Sequence, residues 1–549
     1  MFLKKNRGLL TGLSCMLVVG MLAACSAPAE QAKPSTNTAG TSNTTAPANS
    51  TATGTTQTEK KAVDKTITLA VEAEPVSLDP QNVTDGNSIT VQRSMYEGLL
   101  TFTDKMQPVP VLATEYQLNE NATEITFTLR EGVTFHDGSP FNAEVVKANL
   151  DFVLDEKNGM ARRSFFSFIK EVVVKDPTHV TIIANAPNST MISYLAHPAA
   201  SMKSLEVLKK KKADPTFNLD RNPVGTGPYQ FVEWKENQHV KVTPFANYWN
   251  KEQAAKAESI VYKPVVEAST RINMLKAGET DIITKLPTLN AKEIADDKNF
   301  NVYKAPSLNV YYVGMNLKLK KYQDKKVRQA MNYAVNKDEL IGGVLDGYGT
   351  VADSAIAPNT YGYSQQKVYE YNPDQAKKML EEAGLKDGFE ATLWTRNSSE
   401  FIAIAENVAM QLGKVGIKAK VQAYESGTLF DMLDHEKGTD LWIGRWSPGT
   451  GEVDYGIRPN FHTKSFAPDN NNSGFYSNTQ VDKLLDEAIM TANKDEAMKK
   501  YAEVQKIIYD DAPWVFLHVP DLIVAKTTSV NGVMVLPSDT VIVNTAEKQ

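Results

Sequence analysis

The chain has 549 residues, 42% hydrophobic and 23% charged, with 65 acidic against 59 basic side chains. This is the composition of a globular protein with a large core, and at roughly 100 to 200 residues per domain it allows two to four domains. It excludes a fibre, a coiled coil and a wholly disordered chain, and the formal charge of −6 argues against a nucleic-acid partner, which draws on clustered Lys and Arg.

Lys4, Lys5 and Arg7 precede an apolar stretch from Leu9 to Leu22, with the flanks of a secretory signal and too short for a comfortable membrane span. The stretch ends Leu22-Ala23-Ala24-Cys25-Ser26, which resembles the lipobox of bacterial lipoproteins. That resemblance implies removal of residues 1–24, lipid attachment at Cys25, and a body anchored on the extracytoplasmic face of the cell membrane. Residues 25–63 are rich in Ser, Thr and Ala and nearly lack large apolar side chains. Such a segment cannot offset its ordering entropy by burial and reads as a flexible tether. The two cysteines are Cys15 and Cys25. No disulfide, thiolate nucleophile or Cys-ligated metal is therefore available to the body.

The body opens with alternating strands at Thr66 to Val71 and Ile125 to Leu129. A helix follows from the capping residue Asn142 to Leu150. Lys170 to Val174 and His179 to Ile183 flank Asp176-Pro177 as a hairpin. Further helices are expected over Lys325 to Ala334, Pro373 to Ala383 with Gly384 as its stop, and Ile404 to Val415. Val481 to Ile508 reads as a helix pair. Irregular alternation of strands and helices predicts a mixed α/β protein of more than one lobe.

Catalytic constellations are missing. The sequence contains no Gly-x-Ser-x-Gly, no His-Glu-x-x-His, no phosphate loop and no Gly-x-Gly-x-x-Gly. Its seven histidines never pair at i, i+3 or i+4. His136-Asp137 is tempting as a base and its orienter, but neighbours on a strand point to opposite faces, so the pair reads as turn chemistry before Gly138. These features predict no enzyme, no metal and no cofactor. The later half, in contrast, gathers Trp394, Trp442, Trp446, Tyr455, Phe461, Phe475 and Tyr476 with Arg396, Arg445, Glu452 and Asp454. Aromatic walls with a few opposed charges suit a buried zwitterion, although the same residues also suit a core and its rim.

Glu74-Pro75-Val76-Ser77-Leu78-Asp79-Pro80, Tyr96-Glu97-Gly98-Leu99 and the run from Leu129 to Val145 resemble the extracellular solute-binding proteins of family 5. The likeness continues through Pro223 to Tyr229, Tyr248-Trp249, Met315-Asn316, Val327 to Asn336 and Ala383-Gly384-Leu385, and so runs from about residue 64 to the end. Gly225-Thr226-Gly227-Pro228-Tyr229 itself reads as permissive backbone between a loop and a strand. Ala196 to Met202, Trp446 to Tyr455 and Phe475 to Asn478 are similar to the glutathione-binding members.

The resemblance implies a two-lobed periplasmic-binding-protein-like α/β fold of type II with an extra subdomain and a hinge. Lobe I would comprise 64–302 and 516–549 with an insertion near 94–222, and lobe II 303–515. It implies capture of glutathione or a related small peptide in the cleft, delivery to an ABC permease served by a separate ATPase, and action as a monomer. A di- or oligopeptide ligand is the alternative. In those binders an Asp three residues after the Trp of this segment pairs with the ligand's α-amino group, and here that position is Gly449. Glu452 or Asp454 would replace it, and Arg396 would take the ligand carboxylate. Trp394, Arg445, Trp446, Tyr455, Phe475 and Tyr476 complete the expected ligand-binding set.

Overall fold

The computed structural model describes residues 65–435, 438–468 and 470–549. The expected leader, lipidation site and tether lie outside these residues. Val63–Gln549 is one compact unit.

A twelve-stranded mixed sheet organises it. Its order runs Ile417–Tyr424, Phe389–Arg396, Leu441–Trp446, Val310–Met315, Trp514–Thr527, Ile282–Ile283, Thr66–Val71, Ser259–Pro264, His239–Pro244 and Tyr229–Lys235. Phe300–Pro306 and Gly349–Val351 also pair with Trp514–Thr527. This fourteen-residue strand serves both halves of the sheet. Residues up to Pro520 pair with Val310–Met315 and Gly349–Val351, and residues from Asp521 onward pair with Phe300–Pro306 and Ile282–Ile283. The two halves thus meet along one continuous backbone and the link from Pro306 to Val310. The architecture is the two-lobed α/β fold expected from the sequence.

A separate four-stranded antiparallel sheet, in the order Ala113–Leu118, Glu124–Leu129, His179–Ala184, Ile169–Asp176, packs under the helix Ala143–Leu154. Asn142 caps that helix by accepting the Val145 N–H. One apolar cluster, from Leu99 to Met202 together with Leu308, unites this region. Two further clusters cover opposite faces of the sheet half around Val310–Met315.

The family-like motifs converge on Glu97, whose carboxylate accepts from Thr226 Oγ1 at 2.8 Å, Tyr248 OH at 2.7 Å and Trp249 Nε1 at 2.9 Å. The glycines beside Thr226 serve close approach rather than unusual φ. A Cβ on Gly225 would lie 2.2 Å from the Met95 carbonyl oxygen, and one on Gly227 would lie 2.7 Å from Met95 and Ser94 backbone atoms. Asp79 and Lys203 form a buried pair, Nζ to Oδ1 at 2.8 Å, tying the Glu74 to Pro80 block to the residue that follows Ala196 to Met202. His136-Asp137 is turn chemistry: the ring Nε2 lies 3.0 Å from the Gly227 carbonyl, while Asp137 accepts from Ser139.

Candidate functional site

Two small cavities lie side by side between the segments 84–198 and 447–540. The first, about 140 Å³, receives Arg93, Arg162 and His197 from one side and Ser447, Pro448 and Gly449 from the other, with Ser538 and Thr540 closing it. Arg93 follows the helix Gly86–Gln92, which Asp85 caps through the Ser88 N–H at 2.8 Å. Its Nη2 donates to Thr101 Oγ1 at 2.7 Å. Arg162 is aimed by an Nε bond to the Val83 carbonyl at 2.6 Å, with its guanidinium 5.6 Å from the Phe165 ring centre.

Burial brings Arg93 down to about 10 against the nearby Glu97, and it lowers Arg162 despite Tyr455 and Asp85. His197 is buried, and its Nδ1 accepts the Ala199 N–H at 3.0 Å. Burial, with the two guanidinium groups beside it, pushes its pKa far below the usual histidine value, so it is neutral. No Asp or Glu side chain is among the residues that line this cavity. Its lining side chains carry positive charge only.

The second cavity, about 150 Å³, is mixed in character. Tyr116, Leu118, Ile192 and Met498 supply apolar wall, and Glu452, Tyr361, Tyr501 and Lys494 supply polar groups. Its two sides touch directly, the Ser189 N–H donating to the Ile489 carbonyl at 2.8 Å. Glu452 caps the helix Val453–Phe461, accepting from Asp454 N at 2.7 Å, Tyr455 N at 2.8 Å and Thr450 Oγ1 at 3.3 Å. Only 4% of it is exposed, and burial, with Asp454 nearby, pushes its pKa above the usual carboxylate range. The cavities draw on neighbouring residues of the same segments, since Met106 lines one and Gln107 the other, and Gly449 and Glu452 are three residues apart. Tyr455 stands near this divide, stacked on Trp446 with ring centres 5.9 Å apart and edge-on to Tyr194 at 6.2 Å.

The expected site residues therefore separate into groups. The segment Trp446 to Tyr455 does reach the cavities, through Ser447, Pro448, Gly449 and Glu452. Asp454 is committed elsewhere, bidentate to Arg458 at 2.8 Å and accepting from Tyr501 OH at 3.0 Å. Trp394 is core, its Nε1 donating to Gln422 at 3.2 Å. Phe475 packs on Phe466 beneath the Lys318 ammonium, and Tyr476 OH donates to Asp511 at 2.7 Å. Arg396 lies over Phe401 and Phe430 with its Nε unpartnered, and Arg445 stands near it beside Tyr311, on a face that lines neither cavity.

Phe475 and Tyr476 belong to the aromatic packing around Phe461 and Trp514. Their clustering in sequence reflects that packing. Arg93, Arg162 and His197 lie far from it in sequence. The signal available for Arg93 was its place three residues before the Tyr-Glu-Gly-Leu block, and for His197 its place inside Ala196 to Met202.

Residues 107–468 match the family model of bacterial extracellular solute-binding proteins, family 5. The glutathione-binding protein GsiB of Salmonella typhi is 35% identical over 478 residues, covering 86% of this chain and 92% of the relative. Among solved structures, HbpA2 from Haemophilus parasuis has a TM-score of 0.81 at 24% identity, covering 88% of this chain and 100% of that one. The dipeptide-binding protein from Pseudoalteromonas sp. SM9913, in complex with Met-Leu, has a TM-score of 0.72 at 25% identity, with coverage of 88% and 100%.

Proposed function

The chain belongs to the bacterial extracellular solute-binding proteins of family 5, which serve ABC importers and are not enzymes, and we propose that its solute is glutathione or a closely related acidic small peptide. The observation that carries this reading is the charge of the 140 Å³ cavity, with two guanidinium groups and no carboxylate in its lining. Buried cations require compensating charge. Glutathione at neutral pH has two carboxylates and one ammonium, so it brings the net negative charge that an ordinary α-dipeptide lacks. Similarity to GsiB supports the same assignment.

In this reading Arg93 and Arg162 each take a solute carboxylate, the geometry to which a guanidinium fork is suited. Phe102, Met106 and Pro448 supply apolar wall, and Gly449 leaves open the place where a side chain would reduce the positive charge. The lobes are proposed to part near Pro306 to Val310 and near Pro520-Asp521, where the long strand changes partners. Closure then follows from tighter binding to the closed form. The loaded monomer passes its solute to a membrane permease, and Cys25 holds the body to the membrane by a lipid.

Equilibrium dialysis of wild type and Arg162→Gln with labelled reduced glutathione tests the site. Binding lost by the variant, with its melting temperature within a few degrees of wild type, is the expected result. Equal binding by both proteins would remove the arginine wall from the account.

A further inference from the structure

We propose that the 150 Å³ cavity beside the arginine wall receives an apolar alkyl or aryl group carried on the sulfur of the solute, so that the protein takes S-substituted glutathiones in preference to glutathione itself. This rests on the reading of the arginine-walled cavity as the seat of the solute's carboxylates, and it names the class of solute within that reading.

Size is the first consideration. A volume of 140 Å³ corresponds to about five water molecules at liquid density and cannot hold a tripeptide whole. Part of the solute therefore lies beyond it. The second cavity is the adjacent space, since Gln107 follows Met106 and Glu452 stands three positions after Gly449. With its two carboxylates on Arg93 and Arg162, glutathione has one uncharged side chain to place there, that of its cysteine.

The second cavity suits an apolar group because the polar side chains in its lining are already engaged. Glu452 accepts from Asp454 N, Tyr455 N and Thr450 Oγ1. Tyr501 OH donates to Asp454 at 3.0 Å, Thr190 Oγ1 donates to Asn188 Oδ1 at 2.7 Å, and Lys494 bonds to the Tyr361 hydroxyl. Carbon surface is left to meet a solute. Leu118 and Ile192, packed against the apolar cluster of the four-stranded subdomain, form one side, and Ala497 and Met498, from the cluster around Phe461 and Trp514, form the other. A hydrogen on the sulfur would leave most of this volume unfilled, and wall atoms that face a void lose their dispersion contacts. An aliphatic-lined cavity of about 150 Å³ takes a benzene ring, so a butyl or benzyl group matches the space. Gln107, Tyr361, Lys494 and Met498 also line a larger groove of about 630 Å³, where Lys105 and Pro358 are exposed, and a longer substituent has this groove to continue into.

Calorimetric titration of wild type with reduced glutathione and its S-methyl, S-propyl and S-butyl derivatives tests the assignment. Each added CH₂ should tighten binding up to about fourfold, so S-butylglutathione should bind about tenfold or more tightly than S-methylglutathione. Met498→Gln keeps the length of the side chain and adds a polar amide. It should cut the ratio of S-butyl to S-methyl affinity by about fivefold, while Met498→Leu should preserve that ratio. Affinity that stays level or falls from S-methyl to S-butyl, in a protein that binds reduced glutathione, overturns the apolar site and leaves the glutathione reading in place. A ratio that Met498→Gln does not change puts the substituent elsewhere and also overturns it. Absence of binding by every member of the series removes the glutathione reading, and this inference with it.

Discussion

The two cavities are nearly equal in volume and separated by a few residues, yet their charge is arranged oppositely. The first has Arg93 and Arg162 with no lining acid, and the second has Glu452 with no cation bonded to it. Some buried charges are paired, as in Asp79 with Lys203 and Asp454 with Arg458, whereas Lys337 and Arg271 are held by backbone carbonyls. Paired groups serve the fold. Arg93 has Glu97 and Arg162 has Asp85 in its vicinity, but these acids do not line the cavity, so the groups that meet a solute there are the guanidinium groups. Asp454 and Glu452 make the contrast within one helix turn: Asp454 is paired with Arg458, and Glu452 accepts from two backbone N–H groups and the Thr450 hydroxyl.

Changes to the arginine wall should have the largest effect. Replacing both Arg93 and Arg162 by Gln should weaken glutathione binding about 100-fold or more, because each charge-assisted contact contributes about 1.5–3 kcal/mol. Dialysis reads this directly. Asp454→Asn comes next and acts chiefly on the fold. It leaves Arg458 with only Asp486 and should cost about 2–3 kcal/mol in denaturant unfolding, while glutathione affinity stays within about threefold.

The stability of wild type should also carry the mark of Glu452. Its native pKa is raised, so the native state holds a proton that the unfolded chain has released. That contribution is complete below the ordinary carboxylate range and is lost as pH rises through the raised native value. Glu452→Gln should flatten this slope and melt higher than wild type at pH 8 by a few degrees. Gly449→Asp is the mildest. A Cβ there would meet nothing nearer than Tyr455 Cε1 at 3.7 Å, so the fold should tolerate it. The added carboxylate beside Arg162 should weaken glutathione by about tenfold, which corresponds to about 1.4 kcal/mol, and favour zwitterionic peptides.

Much of the fold was legible because local chemistry and long-range packing agree in it. The helix Lys325–Ala334 has the expected bounds, with Asp324 as its cap, and the pair Thr479–Ile489 and Lys494–Asp511 was visible in the apolar spacing. The helix expected from Ile404 begins at Ser399, because Phe401 is already buried against Tyr311 and extends the apolar face backward.

The site was legible only in part. Ser447 to Glu452 lies in one continuous segment, so its motif could be seen. Arg93 and Arg162 are 69 positions apart with no spacing that distinguishes them from surface arginines, and they converge only through the way the four-stranded subdomain packs. Trp394, Phe475 and Tyr476 were attractive as ligand walls because large aromatics suit both roles. Their neighbours assign them to packing.

Selection of a small peptide of net negative charge is the property on which the proposed function stands. Calorimetric titration of the body after Thr58 with reduced glutathione, oxidised glutathione, a γ-glutamyl dipeptide and a mixed pool of neutral α-dipeptides tests it most directly. The account predicts micromolar or tighter binding of a glutathione form and no heat from the α-dipeptides. Binding of the α-dipeptides with glutathione silent would contradict it, and would make the protein a receptor for ordinary peptides.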